Sequence, residues 1–165
     1  MTEKEVSRLF DELSAAAQAL NEESDTVTKL IRQFEERLNG LRLGVEAWVT
    51  VEGSQKVQAF RWHDLEMRDE GDDPGQPAER YDDVELGFTR HGNEWRLVVR
   101  EAQYIRIDQG ESSEQIHVGP TIPLLEASRR DRINALAEFP DLLRELKQSA
   151  EELIAKVKAA KAVVK

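Results

Sequence analysis

Val6, Phe10, Leu13, Ala17, Leu20, Ser24, Val27, Ile31, Phe34 and Leu38 follow one another at alternating steps of four and three. That rhythm keeps one stripe of a helix apolar for almost its whole length, and such a stripe needs a surface to cover it. Thr2 and Glu5 have capping-box spacing, so the N-terminal helix is expected to begin there. Asn39-Gly40 is its expected end, because glycine takes the left-handed conformation that closes helices. A single helix of about 36 residues within 1–39 is favoured, roughly 54 Å long at the usual rise per residue. Its weak stretch is Asn21–Thr28, where Ser24, Asp25, Thr26 and Thr28 favour caps over helix interiors. A break there, with Ser24 or Asp25 capping a second helix, is the alternative.

The period then switches from helical to two. Leu41, Leu43, Val45, Ala47, Val49 and Val51 alternate with polar or bulky neighbours, the pattern of a half-buried strand. Gly53-Ser54-Gln55 is read as a turn, and Val57–Met67 as the strand returning from it in a hairpin. Residues 68–80, dense in charge with Pro74, Pro77, Gly71 and Gly75, are read as a mobile, solvated loop. A second hairpin follows: Val84, Leu86 and Phe88 face Trp95, Leu97 and Val99 across a turn at His91-Gly92-Asn93, and the second strand can extend to Ile107. Asp108–Ser113 is another turn, and Gln115–Val118 a last short strand. Residues 41–119 therefore predict an antiparallel β-meander of about five strands.

Helical patterning returns over residues 128–164. Ser128 and Asp131 suit the start of a short helix through Ala137, and Pro140 suits the first turn of a long one. The long helix carries Phe139, Leu143, Leu146, Ala150, Leu153, Val157, Ala160 and Val164 at steps of four and three. The expected fold class is α+β in one domain of 165 residues, with the two long helices paired antiparallel. Charge agrees with that pairing. The acidic start of the first helix (Glu3, Glu5, Asp11, Glu12) would lie beside the basic end of the last (Lys156, Lys158, Lys161, Lys165), where the helix dipole also favours cations. Leu9, Ala16 and Leu30 flank the first stripe and make it wider than a two-stranded seam requires, leaving area for the sheet or a second copy.

Composition narrows the chemistry. The net charge of −10 disfavours nucleic acid as a partner, and no apolar run suggests a membrane span or signal peptide, so a cytoplasmic protein is expected. Residues 40–121 hold seventeen acids against nine bases, while residues 122–165 hold seven against nine. With no cysteine there is neither a disulfide nor a thiolate metal site. His63, His91 and His117 lie apart, in no metal-binding spacing. Asp69, Glu70, Asp72 and Asp73 lack the ligand spacing of a calcium loop, and no phosphate-binding glycine motif or serine-nucleophile motif is present. No cofactor, metal or catalytic residue is therefore assigned. Asp82, Asp83 and Glu85 would matter as paired carboxylates only if buried together.

Three features remain as contact candidates. Arg129, Arg130 and Arg132 open a helix, where an anion is favoured, although pairing with the acidic strands is the simpler fate. Trp48 and Trp62 would form an apolar patch if they shared an outer sheet face; Trp95 sits on a third strand. Leu9, Ala16 and Leu30 complete the interface candidates. The order of helix, hairpins and helix resembles prefoldin-type chaperones, a resemblance that implies paired terminal helices and assembly through hairpins. The expected function is a non-catalytic interaction or assembly protein whose partner is itself. The alternatives are an acidic regulator that binds a basic protein surface, or a chaperone-like holder.

Overall fold

The structure, a computed structural model, describes residues 2–51, 56–62, 76–107 and 114–163. Its α+β architecture is a long N-terminal helix, an antiparallel sheet, then a short and a long helix. Helix α1 runs unbroken over Glu3–Leu41. The capping box forms as its spacing predicts: the Thr2 N–H donates to Glu5 Oε2 at 2.7 Å and the Glu5 N–H to Thr2 Oγ1 at 3.4 Å. The Thr2 N–H and, to a smaller extent, the Thr2 hydroxyl, which also donates to Glu5 Oε2 at 3.1 Å, hold the Glu5 carboxyl below its ordinary pKa.

The weak stretch stays helical because its polar groups find partners. Thr26 and Thr28 donate their hydroxyls to the carbonyls of Glu22 and Ser24, four residues back. Asn21 Oδ1 accepts from Arg129 Nη2 at 2.8 Å, and Thr28 Oγ1 accepts from Arg132 Nη1 at 2.9 Å. The poor helix formers are thus the site where the second helix docks.

The helix end differs from expectation. Gly40 is helical, and Arg42 takes the left-handed conformation at φ 53°, its N–H donating to the Asn39 carbonyl at 3.2 Å. A non-glycine residue pays roughly 1–2 kcal/mol in that region. We expect Arg42→Gly to stabilise the fold by about 0.5–1 kcal/mol, the strain relieved less the added freedom of the unfolded chain, as measured by urea denaturation. Any loss of stability would show that the Arg42 side chain matters more than its backbone.

Among the described residues, six strands form the sheet: β1 Ala47–Thr50, β2 Lys56–Trp62, β3 Gln76–His91, β4 Glu94–Ile107, β5 Glu114–Val118 and β6 Ile122–Pro123. The hairpin β3–β4 turns through Gly92-Asn93, with Gly92 at φ 63°, and pairs Phe88 with Leu97 and Leu86 with Val99 as expected. The expected hairpin between the first two strands does not exist. β1 and β2 run in the same direction along the same edge of β3, Thr50 opposite Glu85 and Lys56 opposite Asp82. Six residues on their side thus match three on β3. The cause is the length of β3, which takes in 76–83 and so offers a partner to both segments. Charge and Pro77 made 76–80 look like loop, but Pro77 sits one residue inside the strand, and the charges are matched locally: Arg80 Nε lies 3.2 Å from Asp82 Oδ1, and Glu79 lies opposite Arg106. The remainder of the expected loop, the Gly53-Ser54-Gln55 turn and the Asp108–Ser113 turn fall outside the described residues.

One face of the sheet builds the core. Val51, Leu86, Phe88, Leu97 and Val99 pack with Ile31 and Leu38 of α1, Leu124, Ala135 of α2 (Arg129–Ala137), and Phe139, Leu142 and Leu146 of α3 (Phe139–Val163). Ser128 caps α2 through the Asp131 N–H at 3.1 Å, as its spacing predicts. The inner half of α1 also closes an edge of β4. Glu35 Oε2 accepts from the Leu97 N–H at 2.8 Å, and Asn39 Nδ2 donates to the Trp95 carbonyl at 3.0 Å. Arg96 anchors the same carboxylate at 3.0 Å. Side chains of α1 thereby occupy ladder groups that another strand would seek.

The two long helices meet where Phe34 packs edge-on against Phe139, centroids 4.8 Å apart. The pairing expected along their lengths stops near that contact. Every residue from Ser7 to Glu23 on α1 and from Glu151 to Ala162 on α3 is exposed. A helix covered along one side would bury a residue every turn. α2 docks beside α1 at Asn21–Thr28, and α3 lies against β1 and β3, so the outer halves part company. Neither the helix pairing nor the first hairpin implied by the prefoldin-like layout is formed at full extent.

Candidate functional site

The outer halves of α1 and α3 carry large apolar side chains on a water-facing surface. Leu9, Phe10, Leu13 and Leu20 are exposed on α1, with Phe10 at 66% and Leu13 at 62% of full accessibility. Leu153, Ile154 and Val157 are exposed on α3. We expected the stripe itself to be covered and only its flank, Leu9, Ala16 and Leu30, to be left over. All three flank residues are exposed, and so is the outer stripe beside them. The phase that places Ile31 and Leu38 in the core continues without a slip into these uncovered positions. Periodicity shows that a face is apolar; it does not show whether its own chain covers it.

A second feature lies on the sheet face opposite the core. Glu85 and Arg100 stand directly opposite in the β3–β4 register, with Arg100 Nε 2.7 Å from Glu85 Oε2. The other carboxylate oxygen accepts from the Tyr104 hydroxyl, which in turn accepts from Gln115 Nε2 at 3.0 Å. The Arg100 guanidinium also lies 3.5 Å from the centroid of the Trp48 ring. That ring rests on Gly87, where a Cβ would come within 2.4 Å of it, so a glycine is required there. The cluster is tightly enclosed: the Glu85 and Arg100 side chains keep 7% and 17% of their accessible surface. Counting outward from the Gly92-Asn93 turn places Glu85 opposite Arg100, so this pair was available to sequence reasoning once the turn was fixed. The burial was not. Of the three carboxylates singled out, Asp83 and Glu85 are buried and Asp82 is partly exposed.

Burial and the hydrogen bond to Glu85 push the Tyr104 phenol up to about 12, and the hydrogen bond to Glu79 raises Tyr81. A raised phenol pKa means the folded state holds its proton more tightly. Its stabilising contribution is therefore present below the unfolded value near pH 10 and is lost as pH rises toward about 12. Ultraviolet titration should show both tyrosines ionising late, and Tyr104→Phe should remove the later of the two steps. An unchanged titration in that variant would contradict the network.

The remaining candidates are placed as follows. Arg129 and Arg132 reach α1 rather than acidic strands, and Arg130 is exposed. Trp48 lies on the face opposite the core, while Trp95 stacks on Phe88 at 5.5 Å on the core side. Trp62 pairs with Gln76 in the backbone register, eleven residues along β3 from the Gly87 that stands opposite Trp48, and the Trp62 side chain falls outside what the structure describes. His91 and His117 are exposed on separate strands. His63 and the acids Asp69, Glu70, Asp72 and Asp73 fall outside the described residues. Among the described residues, no group of three or more His, Asp or Glu is placed to hold a metal ion. None of the described helices is long and apolar enough to cross a membrane. A groove of about 310 Å³ is lined by Val84, Val99, Pro120 and Ile122 together with the charged residues Arg100, Glu101 and Asp131. No protein-family model matches the chain, and neither the curated proteins nor the solved structures contain a significant match to it.

Proposed function

We propose that the protein is a non-catalytic interaction module that self-associates through the outer halves of α1 and α3. The observation that carries this is the exposure of Phe10, Leu13 and Leu20 in the same helical phase as the core residues Ile31 and Leu38. A helix end meant for water would have lost that phase. Full burial of a Leu or Phe side chain contributes about 1.5–3 kcal/mol, so each of these half-exposed side chains leaves roughly 1 kcal/mol unused in a monomer. A second copy brings a matching apolar stripe, because the same chain exposes Leu153, Ile154 and Val157. Light scattering tests the proposal: the expected mass is a multiple of 18.8 kDa. A strict monomer at all accessible concentrations would refute it.

A further inference from the structure

Resting on the self-association proposed above, we infer that the outer half of α1 packs antiparallel against the outer half of the partner's α3, and reciprocally, so that the two contacts close a symmetric dimer. Charge selects this arrangement. Residues 3–23 hold six acids against Lys4 and Arg8, whereas residues 154–163 hold Lys156, Lys158 and Lys161 and no acid. The outer half of α1 carries a net charge of −4 and the outer half of α3, Glu151 and Glu152 included, a net charge of +1, so either half against its own copy sets like net charges together. Pairing α1 with α3 of the second copy brings opposite signs together, and like charges across an interface act strongly against it. The direction follows from the same residues. Run antiparallel, Glu3 and Glu5 lie beside Lys158 and Lys161, and each helix end meets a dipole of opposite sign. Run parallel, the same two acids would approach Glu151 and Glu152.

The geometry within one chain leaves both halves available. They separate beyond the Phe34–Phe139 contact, and every residue on each is exposed from Ser7 to Glu23 and from Glu151 to Ala162. Each half offers an apolar strip: Leu9, Phe10 and Leu13 on α1, Leu153, Ile154 and Val157 on α3. A twofold axis makes the contact occur twice, since residue i meets residue j and j meets i. Two short helical contacts then act together where one alone would be weak.

The chain has no cysteine, so introduced thiols report without background. Full-length Leu9→Cys and Val157→Cys proteins, one carrying a mass tag, are mixed, equilibrated and oxidised. The expected product is a disulfide between positions 9 and 157, several-fold in excess of 9–9 and 157–157 dimers. A second variant, Lys156→Glu with Lys158→Glu and Lys161→Glu, should weaken the dimer at least tenfold, and Glu3→Lys with Glu5→Lys and Asp11→Lys in the same chain should recover most of that loss. A dimeric mass with 9–9 or 157–157 products dominant, or with no cross-link, overturns this pairing and leaves self-association standing. A monomeric wild-type mass overturns both.

Discussion

Replacing Phe10 and Leu13 together by glutamate should convert the proposed dimer to its 18.8-kDa monomer. Both side chains are more than half exposed within one chain, so the substitutions add no charge to the core. In the assembly each copy would bury two carboxylates without partners, beside losing the apolar contact. Even a few kcal/mol per copy amounts to roughly a thousand-fold or more in Kd. Light scattering gives the mass, and amide exchange gives a second readout. An isolated helix of the length of 3–23 is marginal in water, so exchange there should quicken in the monomer, while amides around Ile31 and Leu38 keep their protection. An unchanged mass would separate these two residues from assembly.

Glu85→Ala should produce the largest loss of stability of any single polar substitution on the sheet. The change leaves the enclosed Arg100 without its carboxylate and Tyr104 without its acceptor. Removing one member of a buried ion pair typically costs about 3–5 kcal/mol. For a chain of this size that corresponds to a fall of about 6–20 °C in Tm. Replacing both members, as in Glu85→Leu with Arg100→Met, should restore much of the loss, because no buried charge is then left alone. If the single and the double variants melt together, the pair contributes little and the Trp48–Gly87 contact is what holds this face.

The elements that were legible in the sequence share one property: their determinants are local. The Thr2–Glu5 box, the Ser128–Asp131 cap and the Gly92-Asn93 turn each lie within four residues, and each forms where its spacing places it. The first hairpin misled because Gly53-Ser54-Gln55 has turn composition, while the true partner of both flanking segments is β3, 14 to 41 residues away. Residues 76–83 were misread for a related reason. Their charges resemble those of a loop until the opposing strand supplies Arg106 and Tyr104. The Asn21–Thr28 stretch has poor helix propensity, and its partners Arg129 and Arg132 lie more than a hundred residues downstream. The proposed interaction surface was half legible. The apolar phase was plain, but which turns of it the chain itself would cover depends on where α2 and α3 dock.

The contacts of Glu35 with Leu97 and of Asn39 with Trp95 join residues 62 and 56 positions apart. On a ribosome adding about 5–20 residues per second, the helical members of these contacts emerge roughly 3–12 s before the strand they cover. The segment of β4 whose free backbone groups would invite mispairing during synthesis therefore appears after the residues that occupy them, and the order of translation itself shields the nascent sheet from its neighbours on the same message.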